Sequence, residues 1–323
     1  MKLVSETILS NVTRAGQGGV TLRDLDDSGT LIWGDLEVVL TTDAHTVKPL
    51  FFPGGNIGRL AAAGTLNDIS VMGVKPLAIS CSIVMEEGFS RSRLETVVRS
   101  MNEVLEEVGA DLIAGDTKVV ERGDIDEMIM TTAGVGVTGR GSVIRDTGLK
   151  PGDDIILSGT VGDHGITILS VREGFDFQLQ TQSDVGPIWG IVEAALEVGG
   201  VHAMKDPTRG GLSNALNELA EKSMVGIEIE EESIPVESDI RNASEMLGVD
   251  PYSITNEGKV VIGVDRELSD EVLSSVRATA RGRKASVIGT VVEGHRGEVV
   301  METRIGGRRL MEPPVGDPAP RIC

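Results

Sequence analysis

Runs of β-branched and apolar residues alternate with longer stretches of helical periodicity along most of the chain, the signature of an α/β protein. Leu36–Thr42 reads as a strand that delivers Asp43 and His45 at its C-terminal end, where α/β folds place chemistry. Pro53-Gly54-Gly55 then opens a helix-like run, Asn56–Met72, closed by Gly73 and carrying Asn67-Asp68 among small apolar residues. A carboxylate in that setting needs a partner, because burying it unpaired is costly. Pro76–Met85 reads as a buried strand and Ser90–Val108 as an amphipathic helix. Asp111–Lys118 reads as a strand that stops in the polar cluster Asp116-Thr117-Lys118, and Met128–Val137 as another strand.

Asp146–Asp154 has the composition of a linker, which puts a domain boundary near residue 148. Beyond it, Ile155–Gly159 is a strand and Thr160–Gly165 a turn into a helix. A helical section spans Pro187–Val198, and the turn Asp206-Pro-Thr-Arg209-Gly210-Gly211 opens the helix Leu212–Lys222, whose N-terminal amides suit an anion. Val225–Ile229 is a strand, Ile240–Leu247 a helix, and Asn256-Glu257-Gly258 a tight turn before the strand Lys259–Val264. Leu268–Ala278 is helical, and Ala285–Val292 with Glu298–Thr303 reads as a closing hairpin. The last twelve residues carry four prolines and end in Cys323. They read either as a frayed terminus or as a tether, since polyproline-like chain extends about 3.1 Å per residue and would carry the thiol roughly 35 to 40 Å.

A length of 323 residues suits two domains, and an aromatic content of 2% leaves Val, Ile, Leu and Ala to fill the cores. A net charge of −20 argues against nucleic acid and anionic membranes, and anionic substrates would need bridging cations. With only Cys81 and Cys323, no disulfide framework is expected and a reducing, cytoplasmic setting fits; no apolar run reaches transmembrane length.

Asp43, Asp68, Asp116 and Glu257 stand at loops or strand ends flanked by small residues, as oxygen ligands for Mg²⁺ on a nucleotide would, and equally as solvated or capping acids would. Lys118 and Arg209 are candidate phosphate contacts, or ordinary surface pairs. The glycines Gly16, Gly18 and Gly19 make a turn that either admits a ligand to backbone N–H groups or is simply a turn. There is no Walker loop, H-E-x-x-H or G-x-S-x-G. His164 follows a Gly-Asp step and is a weak candidate.

Seven runs carry a resemblance: Pro49-Leu-Phe-Phe-Pro-Gly-Gly-Asn56-Ile-Gly, Gly64-Thr-Leu-Asn-Asp68, Ala114-Gly-Asp116-Thr-Lys118-Val-Val, Ser158-Gly-Thr-Val-Gly-Asp163-His164-Gly165, Asp206-Pro-Thr-Arg209-Gly-Gly, Asn256-Glu257-Gly258-Lys259 and Pro320-Arg321-Ile322-Cys323. In this order, over essentially the whole chain, they resemble the HypE family of hydrogenase maturation proteins. Several are shared with its superfamily relatives, the aminoimidazole ribonucleotide (AIR) synthetases, selenophosphate synthetases and thiamine monophosphate kinases. The terminal Pro-Arg-Ile-Cys is the specific one.

The resemblance implies a two-domain AIR-synthetase-like (PurM-like) α/β fold of α+β type. Residues 1–148 would form an ATP-binding domain that dimerises through a shared β-barrel, residues 149–310 a second α/β domain, and residues 311–323 a flexible tail. It implies that a carbamoyltransferase, HypF, loads Cys323, that ATP with Mg²⁺ drives dehydration of the thiocarboxamide to a thiocyanate, and that the cyano group passes to a HypC–HypD complex for a nickel–iron hydrogenase. By family position Glu257 is the expected base with Asp68 as the second possibility, and Lys118 offsets phosphoryl charge. Asp43, Asp68 and Asp116 are the expected metal ligands, with Asp26 and Asp27 as additions. Gly16, Gly18, Gly19, Asn67, Thr117, Arg209 and Gly210 join those acids and Lys118 around the nucleotide. A small-molecule synthetase or kinase of the same superfamily, or a noncatalytic scaffold, are the alternatives. The chain departs from the family pattern at Ala15-Gly16-Gln17-Gly18-Gly19 and at Asp43-Ala44, where no side-chain hydroxyl is available.

Overall fold

The computed structural model describes residues 4–16, 18–174, 179–314 and 316; the Pro320–Cys323 motif and Gln17 lie outside the described residues. The first half builds a five-stranded sheet from β1 (Gly29–Trp33), β2 (Leu36–His45), β5 (Pro76–Glu86), β6 (Asp111–Val120) and β7 (Met128–Gly139), ordered β1-β2-β7-β5-β6. All pairs are antiparallel except β5 with β6. Two short strands, β3 (Phe51–Phe52) and β4 (Gly55–Asn56), lead into helix α1 (Ile57–Ser70). Asn56 caps α1, its Oδ1 accepting from Gly58 N at 2.9 Å and Arg59 N at 3.2 Å. Together with α2 (Arg91–Val108), α1 lies on one face of the sheet.

Along β2 the odd-numbered residues Glu37, Val39, Thr41 and His45 are buried while Leu36 and Leu40 are exposed, the alternation of a sheet covered on one side. The uncovered face is apolar: Leu31 is 58% exposed and Trp33 73%. Among the described residues this sheet is open, with no closed barrel in the protomer.

The second half holds a seven-stranded sheet, ordered β14-β13-β10-β12-β8-β11-β9. Its strands are β8 (Asp154–Leu157), β9 (Val201–Lys205), β10 (Gly226–Glu230), β11 (Val261–Val264), β12 (Ser286–Val292), β13 (Val299–Glu302) and β14 (Arg308–Leu310). Helices α3 (Asp163–Glu173), α4 (Trp189–Val198), α5 (Gly211–Ser223), α6 (Ser238–Leu247) and α7 (Ser269–Ala278) complete it.

Two expectations need correction. The closing hairpin does not form: β10 separates β12 from β13, pairing antiparallel with the first and parallel with the second, and β13 pairs instead with β14. The strand through Asp116 does not stop at its polar cluster. It continues to Val120 as an exposed edge, where polar side chains cost nothing and discourage further pairing.

The halves share one apolar cluster, in which Ile57, Leu66, Val97 and Met130 meet Ile166, Leu169, Val185 and Ile254. Each such side chain contributes about 1.5–3 kcal/mol on burial, which fixes how the halves meet. The candidate site lies along that seam.

Candidate functional site

Four segments converge on a group of carboxylates. The end of β2 supplies Asp43 and α1 supplies Asp68, whose Oδ2 lies 2.8 Å from Thr41 Oγ1. The segment before β1 supplies Asp27, and the turn from β9 to α5 supplies Asp206, 5% exposed. Gly64 makes room here: a Cβ there would stand 2.9 Å from His45 Cε1 and 3.4 Å from Asp43 Oδ2. Asp43 is fixed on both oxygens, Oδ1 accepting from Ala44 N at 2.9 Å and Oδ2 lying 3.3 Å from His45 Nε2.

These acids repel one another. Burial first, then Asp206, Asp27 and Asp43, hold the Asp68 carboxyl well above the usual range. Burial and Asp27 push Asp206 up to about 8, although Lys205 opposes them. Asp27 is pushed up to about 6 by burial, with Lys205 pulling the other way. Lys205 Nζ is already shared among Asp27 Oδ1 at 2.7 Å, Asp146 Oδ2 at 3.1 Å and Glu218 Oε2 at 3.1 Å. Asp27 Oδ2 is buried with no hydrogen-bond partner among the described residues. Asp26 is held apart from this group by Lys222, at 3.0 Å.

Glu257 adjoins the acids through two asparagines. Asn67 Nδ2, one residue before Asp68, donates to Gly186 O at 3.2 Å and reaches Glu257 O at 3.4 Å, while its Oδ1 accepts from Ile188 N at 2.9 Å. Asn67 is thereby committed to holding the two halves together. Asn256 N donates to Pro207 O at 3.1 Å, placing Glu257 against the Asp206 turn. Glu257 is 6% exposed, its Oε1 accepting from Thr255 Oγ1 at 3.2 Å. Arg209, exposed on that turn and followed by Gly210, is near enough to His45 to disfavour its charge.

Other nominated residues lie elsewhere in the protomer. Asp116, Thr117 and Lys118 sit on β6, three strands from β2 and so about 14 Å across the sheet. Asp116 and Lys118 pair with Ser82 and Val84, on the face opposite Asp43. Gly16, Gly18 and Gly19 form a turn at the far end of the sheet. A Cβ on Gly19 would meet Thr30 Oγ1 and come within 3.0 Å of Glu37 Oε1, and Glu37 lies about 20 Å along β2 from Asp43. His164 is fully buried with Nδ1 2.7 Å from Ser183 Oγ, and burial drives its pKa down to about 4, so it is neutral packing material. Cys323 lies outside the described residues. Ala44 faces away from the acids, so its missing hydroxyl removes nothing from this group. Asp206 is the residue that sequence reasoning missed; its position beside Pro207 reads equally as a turn.

The N-terminal domain model of AIR synthase related proteins matches residues 25–138 and the C-terminal domain model residues 150–302. The carbamoyl dehydratase HypE of Azotobacter vinelandii is 45% identical over 287 residues, 88% of this chain and 84% of that protein. The chain belongs to the HypE family. A HypE–HypF complex contains a chain with TM-score 0.90 and 38% identity, matched over 97% of this chain and all of that one. HypE in complex with ATP matches at TM-score 0.85 and 38% identity, over all of this chain and 96% of that one. No helix among the described residues is long and apolar enough to cross a membrane.

Proposed function

We propose that this protein dehydrates a carbamoyl group carried as a thiocarboxamide on Cys323 to a thiocyanate, at the expense of ATP, to supply the cyanide ligand of a nickel–iron hydrogenase. What carries the reading is the acid group Asp27, Asp43, Asp68 and Asp206, which outnumbers the one lysine it shares and is set against Glu257. Buried carboxylates are tolerated where a cation and phosphates complete the balance.

The donor set fits Mg²⁺: all ligands are oxygens, Asp27 Oδ2 lacks a partner, and repulsion raises the acids. Among the described residues no three such groups are preassembled as a cage, which suits an ion that arrives with its waters and with phosphate. Asp43, Asp68 and Asp206 would hold it, and it would neutralise charge on the phosphates. Arg209 offsets charge on the same phosphates.

Transfer of the γ-phosphoryl group to the amide oxygen makes a leaving group of that oxygen. Glu257 removes the nitrogen protons as the C–O bond breaks, with Asp68 the second candidate, leaving S–C≡N, ADP and phosphate. The amide oxygen departs in the phosphate, and the two nitrogen protons pass one at a time through the carboxylate to the phosphate and the solvent.

HypF would load the thiol, and a HypC–HypD complex would accept the cyano group. The uncovered apolar face of the first sheet suits a second copy of the chain, the two sheets closing into a barrel. Such a dimer would carry Asp116, Thr117 and Lys118 toward the partner's nucleotide, which accounts for their distance from Asp43.

Intact mass spectrometry tests the chemistry. After incubation with the carbamoyltransferase and carbamoyl phosphate, the C-terminal peptide is expected to gain a carbamoyl group, then to lose the mass of water when ATP is added. A Cys323→Ala chain that still turned over substrate would overturn the reading in favour of a free-substrate synthetase.

A further inference from the structure

Two of the acids assigned to the chemistry belong to different halves of the molecule: Asp68 lies on α1, and Glu257 stands in the bend before β11. One short segment, residues 183–188, binds beside both. Toward the first half, Asn67, the residue before Asp68, donates to Gly186 O at 3.2 Å and accepts from Ile188 N at 2.9 Å. Ser183 N donates to Pro53 O at 3.0 Å and Val185 O accepts from Arg59 Nε at 3.0 Å, so the segment is pinned to that half along its length. Toward the second half it holds the main chain of Glu257 twice. Asp184 Oδ1 accepts from Glu257 N at 3.2 Å, and Gly186 N donates to Glu257 O at 3.2 Å.

The two stretches of backbone meet with no room for a side chain between them. A Cβ on Gly258 would stand 2.1 Å from Asp184 O, and would push the Glu257 peptide off the segment. The Asp184 side chain is only 3% exposed, and its second oxygen lies 3.2 Å from Lys259 Nζ. Burial raises its carboxyl, but Lys259, His164 and the Glu257 N–H together bring it below its ordinary value, so the group that faces Glu257 N is a carboxylate. A bond from an N–H to an ionised acceptor is about twice as strong as one to a neutral acceptor.

We propose that Asp184 is a positioning residue for the dehydration: anchored by Lys259, it fixes the main chain of Glu257 and so sets where the Glu257 carboxylate stands relative to Asp68. The inference rests on the reading of Glu257 as the base. Asp184 acts through Glu257 and not on the reacting atoms. With the acceptor removed, the Glu257 N–H loses this partner, and the peptide tilts about its remaining contacts with Gly186 and Asn67. A displacement of about 1 Å in a reacting group can cost a hundredfold in rate.

Asp184→Ala and Asp184→Asn separate the acceptor from the charge. Both leave Lys259 with Asp163 as its remaining carboxylate, 3.5 Å away, and only the asparagine keeps an oxygen at the length needed to accept from Glu257 N. Hydrogen exchange at the Glu257 amide is read by fragmentation mass spectrometry with neither ATP nor a carbamoyl donor present. It is expected to be at least about tenfold faster in Asp184→Ala than in Asp184→Asn. Single-turnover dehydration of the full chain, carbamoylated beforehand and mixed with saturating ATP, is expected to slow at least about twentyfold in Asp184→Ala. In Asp184→Asn it should stay within about threefold of the unsubstituted chain, with ATP affinity unchanged in both. A residue that only braced the fold would cost both variants alike. If Asp184→Ala fails to fold, Asp184→Glu keeps the charge opposite Lys259 and moves the acceptor by one methylene, and is expected to slow dehydration at least about fivefold. Equal rates in the alanine and asparagine chains, a Glu257 amide that exchanges no faster in Asp184→Ala, or an unslowed Asp184→Glu chain would overturn the proposal. The reading of Glu257 fails separately, if Glu257→Gln dehydrates at the unsubstituted rate.

Discussion

Lys259 Nζ stands 3.5 Å from Asp163 Oδ2 and 3.2 Å from Asp184 Oδ2, in a cleft of about 330 Å³, while Asp68 and Asp206 share their space with other acids. Burial pushes Asp184 up, yet Lys259, His164 and the Glu257 N–H overcome it and hold the carboxyl low. Burial likewise works against the charge on Lys259, and Asp184 and Asp163 more than restore it. The Asp68 group has only a divided answer, because Lys205, which opposes the shifts of Asp27 and Asp206, also serves Asp146 and Glu218. Asp163, facing the same lysine as Asp184, is still raised by burial, so Lys259 holds down one of its two carboxyls. Where the chain supplies a cation, it holds a buried carboxylate low; where acids outnumber it, the proposed reading has Mg²⁺ supply the balance.

Substitution sharpens that contrast most at Asp68. Asp68→Asn is expected to lower single-turnover dehydration at least a hundredfold, since on the proposed reading it would remove a metal ligand and the second base candidate together. The same change should stabilise the free protein by about 1–2 kcal/mol, because a repelled carboxylate becomes a neutral amide. Urea unfolding checks the second half, and a destabilised variant would break the comparison. Lys259→Met is expected to act the other way, costing about 3–5 kcal/mol by leaving two buried carboxylates uncompensated. Adding Asp163→Asn and Asp184→Asn should recover much of that loss in the same assay, whereas no recovery would mean that Lys259 acts by packing.

The sequence made Asp43 and Asp68 legible because period-2 and period-3.6 patterns run up to them: Leu36–Thr42 extends to His45 in the structure, and Asn56–Met72 contains α1 with Asn56 as its cap. Pattern does not encode sheet order, however. Nothing in Asp111–Val120 says that it lies at an edge, so Asp116 was grouped with acids three strands away. The expected hairpin failed for the same reason, since the strand that separates its arms is Gly226–Glu230, remote in sequence. Asp206 stayed hidden because its chemistry comes from Asp27 and Asp68, contributed by distant segments. Glu257 stands out from its turn before the resemblance gives it the expected role of base, whereas its link to Pro207 through Asn256 is not legible in the sequence.

The smallest expected effect is the most direct reading of the difference between the two groups. Asp206 has a folded pKa of about 8 against an ordinary value of 3.8, so the folded state holds its proton where the unfolded chain has released it. Its contribution is therefore complete below about pH 4 and lost as pH rises toward 8. Between pH 6 and 8 the metal-free protein should lose about 1–2 kcal/mol from this group. His164, depressed to about 4 from 6.5, has the opposite sign: its contribution is present above 6.5 and lost as pH falls through 4, so it does not mask that window. Urea titrations at the two pH values in a chelator measure the slope, and Asp206→Asn should flatten it. Mg²⁺ with ATP should restore more stability at pH 8 than at pH 6, because the cation replaces a proton that is still bound at the lower pH. Equal stabilisation at both values would mean that the acids take up no cation, and the distinction from the Lys259 cluster would have to rest on packing alone.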